Sequence, residues 1–354
     1  MTPDQRIRAG RHWLRSNLFY GPWGTLQSLA AVSVGGWIAW WLFDLAIADA
    51  DWTYVLKHGL RLLIGLYPQE QSWRALLGLL ILSAIPFALV RMPAGLWARI
   101  AFWIFVICLV AWLLVDGLDP ADFENQPISG MLLTLLLAST GIAFGLPLGL
   151  LFALMRRSAL PAVRGVAIGL GWIFRGVPSY VLLLAALNAP LLLPQAWDVA
   201  GATPLALALL MFVGIASRRY ADDLYDGLMS IPAAQRDIAA SLGLRPRHIL
   251  RAIMIPQALL RRIPALVEST VWTITETTIV GLLVSLELVG MSQLVRVTAL
   301  AAPGTGTVLV AAAVFYLVVG LAVRGYGNVL ARRAAVRLAI RPMTGRQASD
   351  NIVV

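Results

Sequence analysis

The stretch IPAAQRDIAASLGLRPRHILRAIMIPQALLRRIP, residues 231–264, decides how the rest of the chain is read. It carries many arginines, internal prolines and a helical apolar pattern, yet long apolar runs flank it on both sides. The whole chain has 354 residues, 59% hydrophobic and 13% charged, with mean hydropathy +0.79. A soluble domain has about 45–50% apolar and about 25% charged residues, so this composition points to an integral membrane protein embedded in a lipid bilayer. The formal charge of +10 falls in short clusters between the apolar stretches, a pattern of membrane topology that argues against nucleic acid as a partner. The lone Cys108 lies in the apolar run AFWIFVICLVAWLLV and has no intrachain partner for a disulfide. The opening MTPDQRIRAGRHWLRSNLFYGPWG is polar and basic for too long to be the n-region of a cleaved signal peptide, so it is expected to be retained.

A helix crosses the hydrocarbon layer in about 20 residues. Windows of that size with few charges fall at 25–47, 73–91, 97–115, 130–154, 166–188, 200–217, 265–290 and 307–327, which predicts an all-α membrane protein of about eight transmembrane helices. The second and sixth windows contain or begin near Pro86 and Pro204, and the fifth contains Arg175. Short cytoplasmic loops carry an excess of Lys and Arg. Arg6, Arg8, Arg11 and Arg15, then Arg91 and Arg99, then Arg156, Arg157 and Arg164, then Arg245, Arg247, Arg251, Arg261 and Arg262, and finally Arg332, Arg333 and Arg337 all fall on one side if the spans alternate. The opposite loops hold Asp44, Asp49 and Asp51, then Asp116, Asp119, Asp122 and Glu124, then Asp198, with Lys57, Arg61, Arg74 and Arg296 as scattered basics. Both termini and the opening stretch are therefore expected on the cytoplasmic side. The acidic segment DGLDPADFENQPISG, residues 116–130, is the one seam in the chain. Trp37, Trp40, Trp41, Trp97 and Trp103 are read as interfacial anchors.

Within the opening stretch, Ser230 is expected to cap a helix starting at Ile231 with Pro232 in its first turn. Ile231, Ile238 and Leu242 share a face, and Gly243 ends the helix. Pro246 suits the first turn of a second short helix with Ile249, Leu250 and Ile253 on its apolar face, which Pro256 is expected to break. Two short amphipathic helices bent at a glycine belong at the cytoplasmic membrane face, either as a surface helix holding positive charge inside or as a docking element.

The spacing Asp237-Ile238-Ala239, three residues, Gly243, nine residues, Ile253-Met254-Ile255-Pro256 resembles the E-A-A-x3-G-x9-I-x-L-P signature of binding-protein-dependent ABC importer permeases. Ile231-Pro232, Gln235, Leu242-Gly243-Leu244 and Pro256-Gln257-Ala258-Leu259 resemble the loop of the polar amino-acid permeases. Gly130 to Leu135, Gly145-Leu146-Pro147-Leu148-Gly149, Phe174-Arg175-Gly176-Val177-Pro178 (compare F-R-G-T-P) and Glu276-Thr277-Thr278-Ile279-Val280 (compare D-T-S-L-V) are similar to further family segments, and the added N-terminal spans resemble the general L-amino-acid branch. The resemblance implies a cytoplasmic tail over 1–24, a three-span extension over 25–128, a five-helix type I permease core over 129–337 with its coupling loop at 230–262, and a cytoplasmic tail over 338–354. It implies that Gln235, Asp237, Ile238, Ala239, Leu242, Gly243, Leu244, Ile253, Ile255 and Pro256 couple the chain to a cytoplasmic ABC ATPase dimer. It also implies a second permease subunit, identical or not, an extracytoplasmic solute-binding protein, and residence in a bacterial inner membrane. A P-loop needs G-x4-G-K-[ST], and Lys57, the only lysine, lies in VLKHG. ATP and Mg are therefore expected on the partner, with no cofactor on this chain and no enzymatic activity of its own.

Arg175, Glu268, Glu276 and Glu287 fall in or beside apolar windows, where a charge costs about 2.5–3.5 kcal/mol on insertion scales, so each should face a cavity or a partner. Arg175 beside Pro178 is either a path-lining cation or half of a structural pair. Glu276 sits among Thr273, Thr275, Thr277 and Thr278, a row of hydroxyls suited either to polar-solute passage or to helix packing. His12, His58 and His248 lack neighbours at metal-ligand spacing, so no metal is expected. The chain departs from the family at Trp172 and Thr275, where a glutamate and a lysine are usual, at Ala234 and Asp237, where a glycine and a glutamate are usual, and in its Arg218-Arg219-Tyr220 run. Two functions stand on this reading: a permease subunit of an ATP-driven importer of polar amino acids or related polar solutes, and an ATP-independent secondary transporter or channel. A membrane-bound enzyme lacks any clustered nucleophile, base or metal set.

Overall fold

A computed structural model describes residues 21–44, 50–91, 95–116, 118, 128–189, 204–283, 286–298 and 305–339. Arg6, Arg8, Arg11, His12 and Arg15, the acidic residues Asp49, Asp119, Asp122, Glu124 and Asp198, and the tail after Ala339 lie outside them. Among the described residues the elements are helical, in the order α1 Pro22–Phe43, α2 Trp52–Lys57, α3 Gly59–Ile64, α4 Ser72–Arg91, α5 Leu96–Val115, α6 Gly130–Arg156, α7 Pro161–Gly176, α8 Ser179–Leu187, α9 Pro204–Met229, α10 Ala233–Ser241, α11 Pro246–His248, a π-helical turn Ile249–Met254, α12 Ile255–Arg261, α13 Ile263–Leu283, α14 Leu288–Thr298 and α15 Thr307–Ala339. Three of the described helices are long and apolar enough to cross a membrane, within Trp97–Val115, Gly130–Arg156 and Thr307–Ala335, and a fourth span results if α7 and α8 count as one.

Two of the expected spans are interrupted, each for a local reason. Over 166–188 the chain bends by 103° between α7 and α8. Val177 precedes Pro178 and is held extended at φ −100°, ψ 129°, because the proline ring clashes with a helical residue before it. Over 265–290, α13 ends at Leu283 and α14 begins at Leu288. Between them Glu287 is fully buried and pairs in a parallel bridge with Gly130, whose N–H donates to Leu286 O at 2.5 Å.

The centre of the molecule is the α6–α9 pair. Gly141, Gly145 and Gly149 recur every four residues along α6 and let the backbones approach, the packing mode by which membrane helices associate. A Cβ on Gly149 would lie 2.8 Å from Ser217 O and 2.9 Å from Ala221 N, both backbone atoms of α9 that cannot turn aside. Gly149→Val is therefore expected to lower the stability of the purified protein in detergent by about 1–3 kcal/mol, read as an earlier thermal unfolding transition. An unchanged transition would show that α6 and α9 do not meet there.

One cluster of buried side chains runs across both sides of the seam at 116–130. Ile64, Tyr67, Ala75, Leu82, Val106, Val110 and Leu114 meet Leu132, Leu133, Leu136 and Leu137 of α6, with Phe212 and Ile215 of α9 beyond. Tyr67 Oη donates to Leu114 O at 2.8 Å inside this cluster. The short helices α2 and α3 fold over the ends of α6, α14 and α15: Leu62 packs with Leu288, Met291, Val295 and Val308, Leu66 N donates to Ser129 Oγ, and Asp51 N donates to Thr307 Oγ1, both at 2.9 Å. Trp37, Trp40, Trp41 and Trp97 are exposed. Trp103 is half-buried and packs against the central cluster.

Candidate functional site

Two places concentrate polar chemistry: the loop after α9 and the charged segment of α9 itself. In the loop, α10 starts at Ala233 with Pro232 at its N-cap, and Ser230 does not cap it. Ser230 Oγ instead donates to Gly227 O at 2.7 Å, closing the end of α9. At the other end of α10, Leu244 N donates to Ala239 O at 3.2 Å and Gly243 N to Ala240 O at 2.9 Å. This pair of bonds is a Schellman ending, and Gly243 holds the left-handed φ of 79° that it requires. Pro256 does not break the second helix. The π-helical turn Ile249–Met254 leads into α12, which runs on to Arg261 with Pro256 in its first turn, since the wider turn relieves the clash of the proline ring with the carbonyl four residues earlier.

The loop has two faces. Ile231, Ala239, Ile249, Met254, Ile255 and Ala258 are buried against Leu150 and Ala153 of α6 and Ala216, Tyr220, Leu224 and Leu228 of α9. The opposite side presents Ile238 at 61%, Leu242 at 75% and Leu244 at 43% exposure, three apolar side chains at the bend. Asp237 and Gly243 are exposed beside them. Gln235 is half-buried and its Oε1 has no hydrogen-bond partner among the described residues, Ile253 is half-buried and Pro256 is exposed. The residues singled out by their spacing thus divide into an inner set, Ala239 and Ile255, that fastens the loop, a half-buried pair, Gln235 and Ile253, and an outer set, Asp237, Ile238, Leu242, Gly243, Leu244 and Pro256, left exposed by the described residues.

The second place is the run Arg218-Arg219-Tyr220-Ala221-Asp222-Asp223 on α9. Asp222 receives three guanidiniums: Arg156 of α6 at 2.8 Å, Arg175 of α7 at 2.6 Å and Arg218 of its own helix at 3.1 Å. Arg219 pairs with Glu276 of α13 at 2.7 Å while stacking on Trp272, and Ser179 Oγ, one residue past Pro178, donates to Glu276 at 3.4 Å. Asp223 accepts from Ser269 at 2.6 Å and lies 3.6 Å from Arg262, and Tyr220 Oη meets Thr270 Oγ1 at 3.1 Å. Arg175 and Glu276 are therefore not partners of each other; α9 joins both, through residues one helical turn apart. Glu268 pairs with Arg324 of α15 at 2.8 Å. The threonine hydroxyls turn inward along α13: Thr273, Thr275, Thr277 and Thr278 each donate to a carbonyl of their own helix, and Thr277 also meets Tyr316 Oη at 3.1 Å.

Sequence reasoning singled out Arg175 and Glu276 but missed Asp222 and Arg219 as their partners, and Asp223 as the partner of Ser269 and Arg262. The signal was present in the unusual arginine run of α9 and in the two aspartates that follow it. Glu287 is the remaining buried carboxylate. Its Oε2 accepts from Tyr316 Oη at 3.0 Å and Thr134 Oγ1 at 3.3 Å, and its Oε1 from Gly290 N at 3.0 Å, so hydrogen bonds from α6, α14 and α15 take the place of a cation.

Long apolar helices around a charged central strut, with a bent helical loop fastened to two of them and an uncovered apolar tip, define a membrane-embedded transport subunit. The chain belongs to the family described as binding-protein-dependent transport system inner membrane component, whose model matches residues 145–336. It is 30% identical over 292 residues to the inner membrane amino-acid ABC transporter permease protein YhdY of Escherichia coli K12, covering 76% of this chain and 77% of that one. It is 32% identical over 228 residues to the glutamate/glutamine/aspartate/asparagine transport system permease protein BztC of Rhodobacter capsulatus, a match covering 63% of this chain and 52% of BztC. A crystallised amino acid ABC transporter with histidines aligns at 24% identity and TM-score 0.47, over 60% of this chain and 96% of that chain. The protein is a multi-pass component of the inner membrane.

Proposed function

We propose that this chain is the permease subunit of an ATP-driven, binding-protein-dependent importer of polar amino acids or related small polar solutes. The observation that carries the reading is the loop of residues 231–261, stiffened by a glycine-terminated helix, fastened to α6 and α9 by its inner face and apolar at its outer tip. An ATPase groove that covers Ile238, Leu242 and Leu244 buries apolar surface, and motion of that ATPase is passed to the two central helices. Both termini and this loop then lie in the cytoplasm, and α2 and α3 lie on the opposite side. ATP and Mg belong to the ATPase dimer, and a second permease subunit, identical or not, completes the pore; Trp172 of α7, 71% exposed, is on a face left open for it. Amino-acid cargo is the reading supported by the names of YhdY and BztC. In this reading α9 carries the path-facing charges, with Arg175, Pro178 and Glu276 arranged around it and Thr275, Thr277 and Thr278 along the neighbouring helix.

The test is reconstitution with the ATPase and solute-binding protein in liposomes, with radiolabelled glutamate, glutamine and arginine offered separately. Uptake of at least one that requires ATP and both partners is expected. Flux through this chain alone, without ATP, would establish the secondary transporter or channel instead.

A further inference from the structure

Between α3 and the start of α4 the chain forms an open cleft of about 850 Å³. Lys57, His58 and Arg61 line it, facing Tyr67 and Gln69. No carboxylate lies within salt-bridge distance of Lys57 or Arg61 among the described residues, whereas Arg74 nearby is paired with Asp116 at 3.6 Å. His58 is fixed in place by its Nδ1, 3.0 Å from Tyr54 O, and by its ring packed on Tyr54. The cleft therefore presents two cations with no carboxylate partner among the described residues, and an imidazole, on two short consecutive helices.

The location makes these charges informative. On the transport reading above, on which this inference rests, the α2–α3 segment is extracytoplasmic, the side where topology disfavours Lys and Arg. Orientation in the membrane does not explain them there. This segment sits on the ends of α6, α14 and α15, tied by Leu66 to Ser129, by Asp51 to Thr307, and by Tyr54 Oη to Val295 O at 3.3 Å. A protein seated over those helix ends meets the cleft. Leu56 and Leu60 are exposed beside the cations, giving the apolar centre with arginine-bearing edge that suits a protein interface. Across from the cations the lining continues through Leu66, Tyr67, Pro68, Gln69 and Ser72, so polar and apolar groups alternate around the rim.

We propose that the Lys57, His58 and Arg61 cleft is a docking subsite for carboxylate side chains on the extracytoplasmic solute-binding protein. Its charges steer the encounter and set the register of the docked pair, a role that rim charges fill through association rate and salt dependence.

Lys57 is the only lysine of the chain, so a zero-length carbodiimide cross-link joins its amine to a partner carboxylate at a single side-chain position. The experiment uses the full complex in nanodiscs with the solute-binding protein that supports uptake in liposomes. An adduct between the two proteins, mapped by peptide mass to Lys57 and absent in Lys57→Arg, is expected. The paired variant Lys57→Glu with Arg61→Glu is expected to raise the binding-protein concentration giving half-maximal ATPase stimulation about tenfold at low salt, and to leave the maximal rate unchanged. Cross-links that map only elsewhere, together with an unchanged half-saturation, would overturn the proposal. So would a shift that appears only in vesicles containing phosphatidylglycerol and vanishes in phosphatidylcholine, which would assign the cleft to lipid. ATP-dependent uptake by the unsubstituted complex is measured in parallel; its absence would count against the transport reading itself, whereas its presence with a silent cleft counts against the docking subsite alone.

Discussion

Gly243→Leu is expected to reduce ATP-coupled uptake by more than about tenfold while the protein still inserts and folds. The left-handed conformation at φ 79° costs a residue with a side chain about 1–2 kcal/mol, too little to unfold a protein whose helices pack elsewhere. A Cβ there meets nothing within 4 Å, so the penalty is conformational and not a clash. The chain escapes it by rotating out of the Schellman ending, which releases the bonds from Gly243 N and Leu244 N to the end of α10 and re-aims Leu242 and Leu244. The apolar tip is then no longer the shape an ATPase groove fits. Gly243→Asn is the control, because asparagine tolerates the left-handed region, and it is expected to retain most of the uptake. Co-purification of the ATPase with each variant separates loss of docking from loss of folding. Equal uptake by the leucine and asparagine variants would remove the loop from the coupling role.

Glu287→Ala is expected to have the largest effect on stability, about 2–5 kcal/mol, seen as a lowered thermal transition in detergent and poor recovery from membranes. Glu287 is fully buried, and its removal takes the acceptor from Gly290 N and leaves Tyr316 Oη and Thr134 Oγ1 with only Thr277 Oγ1 and the longer contact to Gly130 O, respectively, as acceptors. A buried polar group left unpaired costs about 1–3 kcal/mol, and the vacated volume adds to that. Glu287→Gln keeps the shape and one carbonyl oxygen, and the two hydroxyls can turn to accept from its amide, so a loss of about 1 kcal/mol is expected. If alanine and glutamine behaved alike, the hydrogen bonds would not be what holds this junction. The same node constrains Gly281, where a Cβ would lie 2.6 Å from the carboxyl carbon of Glu287.

The parts of the molecule legible in its sequence are those whose physics is local. Gly243 and Pro246 announce a helix end and a helix start within a few residues, and both lie where expected. Apolar windows locate helix bodies well, as at 97–115 and 130–154. Local reading failed where two backbone effects compete: Ser230 is a good capping residue, but it completes α9, and Pro256 is a helix breaker, but a π-turn absorbs it. The charged strut was hidden for another reason. Asp222 draws on Arg156 and Arg175, which lie 66 and 47 residues away, and no spacing rule reaches that far. An ionised residue in an apolar window promises a partner; only the fold says which one. Hydropathy also counts the segments over 166–188 and 265–290 as continuous, since it weighs composition and cannot see that Pro178 or a buried Glu287 turns the chain.

The contact at Gly149 has a mechanical meaning. With the backbones of α6 and α9 touching there, the two helices cannot shear past one another; they form a single beam. At 27 residues and about 1.5 Å per residue, α6 makes that beam about 40 Å long. One end is clamped by Leu150 and Ala153 to the 231–261 loop, proposed above as the ATPase contact, and the other is stitched by Gly130 to Leu286, next to Glu287. Such a beam can pivot but cannot absorb a stroke by sliding. On the proposed function, a push at Leu242 is expected to arrive at the far side as rotation, with the hinge where a helical rod is already bent, at Val177–Pro178.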